Sequence, residues 1–167
     1  LKKVLYVGFF AFILGNFSIL ANILFASFAE LGVKAGSSTL TAGDLMRPGY
    51  IAGVGFEAAF PLLADIGDML GPISFFHNLV PIAVMLLAWL VILIAFFVLA
   101  VQLFVTILEF KLTTLAGFIL VPFALWNRTA FLAERVLGHV ITSGIKLMVL
   151  AIVIGIGSTL FTSITDA

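Results

Sequence analysis

The chain has 167 residues, is 63% hydrophobic and only 10% charged, and its lysines and arginines balance its aspartates and glutamates. Soluble domains carry roughly 25% charged residues, so a soluble globular class is excluded, and zero net charge gives no global field toward nucleic acid or an anionic surface. There is no cysteine, which excludes disulfides, thiolate metal sites and thiol chemistry.

The first predicted span runs from Val4 to Ala29, after Lys2 and Lys3 and before Glu30. Its apolar run is too long for a signal-peptide core, and no clear small-residue cleavage site follows it. The chain begins at Leu1 and not Met, so we expect it to be part of a longer protein. Ala11, Gly15, Ser18, Asn22, Ala26 and Ala29 recur in steps of three and four and share one helix face. Small residues there let another backbone approach, and Asn22 can hydrogen-bond across the contact. The spacing alone leaves open whether that face packs within the chain or between subunits.

Glu30 to Asn78 differs in composition. It holds five of the eight acidic residues together with Pro48, Pro61, Pro72 and many glycines. Glycine and proline recur too often for a long helix. The expectation is a water-facing loop with two or three short helices along the membrane surface. Asp44 caps one of them, which stops before Pro48.

The second span, Leu79 to Leu108, decides the class. It is an uncharged run whose only clearly polar side chains are Gln102 and Thr106. As a helix it is roughly 45 Å long, against a hydrocarbon core of about 30 Å, and it has no polar face for water. Gln102 is most simply a buried packing contact. Glu109 and Lys111 close the span.

Leu112 to Asn127 is short for a crossing, about 24 Å as a straight helix, and Gly117 and Pro122 interrupt it. Trp126 and Arg128 end it like an interfacial anchor. Arg128 to Lys146 reads as an amphipathic helix with Glu134, Arg135 and His139. The last span covers 147–165, where Ala151, Gly155 and Thr159 form a second small-residue packing face. The chain is thus read as one all-α, polytopic membrane domain. It has three long spans (1–29, 79–111 and 147–165), a short broken or re-entrant segment (112–127), and a loop (30–78) on the periplasmic side.

Charge sets the expected orientation. The 30–78 loop holds only Lys34 and Arg47, whereas Lys2, Lys3 and Lys111 flank the opposite side. The positive-inside rule therefore places the loop outside the cytoplasm. If 112–127 re-enters, Arg128, Arg135 and Lys146 join the inside; if it crosses, they fall outside, against the rule.

No catalytic constellation is present. His77 and His139 lie on different elements without a second ligand nearby, and there is no phosphate loop or nucleophile elbow. No enzymatic activity, cofactor or metal is expected, apart from bound phospholipid. Glu109, Lys111, Arg128, Glu134, Arg135 and Lys146 bracket the short segment. Charges at such depth mark a water-filled path or act as interfacial anchors that snorkel and pair.

The run Glu109-Phe110-Lys111-Leu112, Leu115-Ala116-Gly117-Phe118-Ile119-Leu120-Val121-Pro122-Phe123 and Trp126-Asn127-Arg128 through Arg135-Val136-Leu137-Gly138 resembles the TrbL family. So do Ser143-Gly144-Ile145-Lys146, Gly155-Ile156-Gly157 and the N-terminal Lys2-Lys3 with Tyr6-Val7-Gly8-Phe9-Phe10-Ala11. The resemblance is weakest between Leu31 and His77. It implies an inner-membrane, channel-forming component of a conjugative type IV secretion system that supports pore or pilus assembly and passage of DNA with attached protein. It further implies a homo-oligomeric ring and contact with other secretion subunits, including a periplasmic stalk or pilus-tip protein. Family topology would have 112–127 cross the membrane. The other reading of the residues is a small-solute transporter or ion channel working through Gly117 and Pro122. That reading wants an internal repeat and a deep ionisable residue, and neither is evident.

Overall fold

Leu79–Leu120 is one uninterrupted helix of 42 residues, about 63 Å long at 1.5 Å per residue. Every other element is arranged along it. The computed structural model describes residues 2–37, 39–71, 74–120, 122–123 and 130–165. In chain order the described helices are α1 (Lys2–Ala35), α2 (Ala42–Leu45), α3 (Pro48–Met69), α4 (Ser74–His77), α5 (Leu79–Leu120) and α6 (Ala130–Thr165). No strand occurs among the described residues. Four helices, α1, α3, α5 and α6, are long and apolar enough to cross a membrane. The all-α membrane class read from the sequence therefore holds.

The internal boundaries differ from expectation in three places. Within 30–78 lies α3, a 22-residue helix, in addition to short α2 and α4. Its prolines do not stop it: Pro48 stands at the start, where its missing donor costs nothing, and Pro61 is carried in the interior. A buried stripe of Ile51, Gly55, Ala59 and Ile66 holds the helix together. Gly55 lets α3 come down onto the Phe96 ring of α5, with no room for a Cβ.

The second difference concerns 112–127. As far as Leu120 this stretch is simply the end of α5. Gly117 does not break the helix. It is buried, and the rim of the Phe17 ring from α1 and the Val136 side chain of α6 fill the space a side chain would take. The helix stops two residues before Pro122, which cannot continue it. Trp126, Asn127 and Arg128 lie outside the described residues. Third, the amphipathic 128–146 segment and the last span form one helix from Ala130 to Thr165.

The contacts define the directions. Phe17 meets Gly117, and Phe25 stacks on Phe110 with ring centroids 3.9 Å apart, so α1 runs antiparallel to α5. Phe28 covers Gly144, Gly32 meets Met148 and Ala151, and Gly36 meets Gly155, so α1 runs parallel to α6. α3 is also antiparallel to α5, with Pro48 beside Ile107 and Leu108 and Gly55 at Phe96. Hence α1 and α3 occupy successive heights on the same column. α1 lies against the C-terminal half of α5 and α3 against the N-terminal half.

The link between them begins with a tight turn. Ser37 takes a left-handed conformation, φ 50°, although glycine precedes it. Gly36 is spent on close approach to Gly155 instead. Then Thr41 and Asp44 form a capping box at the start of α2: the Asp44 amide donates to the Thr41 hydroxyl, and the Thr41 amide donates to the Asp44 carboxylate at 2.8 Å. Leu45, fully buried, plugs the corner.

Hydrogen bonds from the Thr41 hydroxyl and amide hold the Asp44 pKa below its ordinary value. A depressed carboxylate stabilises the fold above its unfolded pKa, and the benefit is lost as pH falls through the folded pKa. Hydrogen exchange at the Asp44 and Thr41 amides should therefore stay slow until the pH drops below the usual carboxylate range, about 4, and then accelerate. Thr41→Val should exchange fast at every pH.

Candidate functional site

On α6, Arg135, His139, Thr142 and Lys146 are spaced four, three and four residues apart, and all four are exposed. That spacing sets them in one line along the helix. On α5, Gln102, Thr106 and Glu109 form a second line by the same rule. Because the two helices are antiparallel neighbours, the lines meet. Lys146 Nζ donates to Glu109 Oε2 at 3.0 Å and to Oε1 at 3.2 Å. The result is a polar ribbon along the α5–α6 seam of an otherwise apolar surface.

A groove of about 560 Å³ follows the ribbon, with Gln102, Thr106, Glu109, Thr142 and Lys146 on its polar side and Val101, Val105, Ile145 and Val149 on its apolar side. The hydroxyls are locally tied: Thr106 donates to the Gln102 carbonyl and Thr142 to the Gly138 carbonyl, each within its own helix. Such back-bonding ties up each hydroxyl's donor within its own helix. The Glu109–Lys146 pair is only partly shielded, with side-chain exposures of 36% and 50%, so it reaches water or headgroups. Arg135 continues the line, its guanidinium 5.8 Å from the centre of the Phe131 ring.

Of the six charges singled out in the sequence, Glu109 and Lys146 come together and Arg135 lies on the same line. Glu134 is exposed on an adjoining face of α6. Lys111 points away, since two residues of a helix are about 200° apart. Arg128 lies outside the described residues. His139, Gln102 and Thr106 were noted in the sequence but not as members of this line, and Thr142 was not noted; Gln102, expected as a buried packing contact, is exposed because it lies on the groove side of α5. Their spacing was readable, but only with α6 taken as one helix and α5 as continuous past Leu108.

The two small-residue faces have different fates. Ala151 and Gly155 are buried in the α1–α6 seam, where Gly36 and Gly32 press against them, and the Thr159 hydroxyl donates to the Gly155 carbonyl. This face is consumed by the fold. On α1, Ala11, Gly15, Ser18, Asn22 and Ala26 are exposed, and only Ala29 is buried. Nothing approaches within 4 Å of a side chain added at Gly15.

The family model for the TrbL/VirB6 plasmid conjugal transfer protein matches residues 1–167, the full length of the chain. The chain belongs to that family. Membership makes it a component of a conjugal transfer system of the type IV secretion class, and its apolar helices make it a membrane protein. No curated protein and no solved structure matches the chain.

Proposed function

We propose that the chain is a structural, channel-forming subunit of the inner-membrane translocation apparatus in a conjugative type IV secretion system, without enzymatic activity of its own. The observation that carries this reading is the α5–α6 polar ribbon. Polar and charged groups along a membrane helix bundle are costly facing lipid, and they characteristically face a bundle interior or a water-filled path. Several copies arranged around an axis, each with its ribbon inward, would line such a path. The ion pair cancels internally, which leaves Arg135 as the ribbon's unpaired fixed charge. A weakly cationic lining suits sparse, non-specific contact with a polyanion such as DNA and its attached protein.

The open face of α1 supports self-association, with Ala11 and Gly15 allowing close approach of a neighbouring helix. On α3, Glu57, Asp65 and Asp68 are exposed and share the side turned from α5. Three carboxylates on one side suit water better than lipid. With only Lys34 and Arg47 as lysines or arginines in 30–78, the positive-inside rule favours a periplasmic place for that water-facing side, within reach of a stalk or pilus-tip subunit.

The chain has no native cysteine, so the lining can be probed directly. In cells carrying the assembled machine, a membrane-impermeant thiol reagent should modify Gln102→Cys and Thr142→Cys but not Val91→Cys, an exposed position on the all-apolar part of α5. Ribbon positions that stay as protected as Val91→Cys would sink the channel reading.

A further inference from the structure

We propose that Lys111 anchors an anionic phospholipid, with the headgroup held in the groove between α1 and α5 and an acyl chain in the adjoining groove toward α2. This goes beyond the channel reading and concerns the opposite side of α5. Glu109, the nearest acid in sequence, is taken by Lys146, and no ion pair to Lys111 occurs among the described residues. Lys111 is exposed between two apolar stretches, 79–108 and 112–120, where an uncompensated cation seeks a negative partner at headgroup depth.

Two grooves meet at this one side chain. One, of about 440 Å³, has Ser18, Asn22 and Thr114 beside Lys111 over a floor of Phe17, Phe110 and Phe118. Neither Ser18 nor Asn22 has a hydrogen-bond partner among the described residues, so a hydroxyl and an amide are free to donate to phosphate and glycerol oxygens. The other, of about 310 Å³, is apolar apart from Lys111 and runs past Phe104, Leu108, Met46 and Pro48. Cation and donors on one side of Lys111, with a hydrocarbon slot on the other, match an amphiphile with an anionic head. A free phosphate ion would use only half of this arrangement.

The test uses the full chain in detergent, with native mass spectrometry of retained lipid after exposure to equal dioleoylphosphatidylglycerol and dioleoylphosphatidylcholine. The wild type should retain the glycerol lipid about fivefold over the choline lipid, the scale of one basic residue acting near an anionic headgroup. Lys111→Gln should abolish the preference, whereas Lys34→Gln, at another exposed lysine, should keep it. Equal selectivity in wild type and Lys111→Gln would overturn the proposal, as would equal losses in both variants. Inorganic phosphate displacing the lipid at millimolar concentration would also count against it, because the slot would then contribute nothing. So would efficient Thr114→Cys cross-linking between copies in the presence of the lipid, because a second chain would then fill the groove.

Discussion

Gly32→Leu should be strongly destabilising. A Cβ at Gly32 would stand 2.6 Å from both the Met148 carbonyl oxygen and the Ala151 Cβ. Neither atom belongs to a flexible side chain that could swing aside, so α1 must move off α6. Overpacking typically costs about 1–3 kcal/mol, and separating two helices over the Gly32–Gly36 seam belongs at the upper end. For a chain of this size that is a loss of about 6–12 °C in unfolding temperature. Heating the protein in detergent and following the monodisperse fraction by size-exclusion chromatography reads this directly. Gly15→Leu is the matched control: it adds the same side chain to the same helix in open space. The midpoint of Gly15→Leu should stay near wild type while self-association falls. Equal destabilisation by the two would mean that the α1–α6 seam is not the tight contact described.

The second large effect is expected at the ribbon. Glu109→Lys places a like charge beside Lys146. At an effective dielectric near 20, two unit charges 4 Å apart repel by about 4 kcal/mol. Half-exposed side chains swing apart and are screened, which reduces the cost to roughly 1–2 kcal/mol. The exchanged pair Glu109→Lys with Lys146→Glu should recover most of that stability, because the contact joins two flexible side chains across one seam. Conjugative transfer should fall in Glu109→Lys and return in the exchanged pair if charge balance is what the ribbon needs. Recovery of stability without recovery of transfer would instead tie function to the position of the negative charge. A double swap no better than the single variant would show that the two side chains do not interact.

The membrane class was legible because Leu79–Leu108 offers water no polar face, a property of composition alone. Helix ends were less legible. Glu109 and Lys111 look like the end of a span when only neighbours in sequence are considered. α5 continues through them because neither residue breaks a helix, and Lys146, far along the chain, pairs with Glu109. Gly117 shows the same limit: a glycine that reads locally as a break is a socket for Phe17. The sequence showed that Ala151 and Gly155 were packing positions, but not that Gly36 of the same chain takes them. The face that is left open, on α1, carries an identical local signature. Small-residue spacing tells that a helix will be approached closely, and only tertiary structure tells by which partner. α3 was expected only as a short surface helix, because Pro61 and four glycines outweighed the buried Ile51–Ile66 stripe in a local reading.

The length of α5 bears on how the molecule can exist at all. Fitting about 63 Å of helix into a 30 Å hydrocarbon layer by leaning alone would need a slope of about 60°, beyond the 0–40° that spanning helices adopt. Stacking α1 and α3 at successive heights lengthens the apolar column further, and only 11% of the most apolar stretch of α1 and 17% of that of α5 is covered by the chain itself. Lipid can sheathe one bilayer's worth of this column. The remainder projects past that layer, beginning near Lys111, and the apolar surface it carries there is covered only where the chain sits beside other protein. An orphan copy would thus be a natural target for membrane quality control.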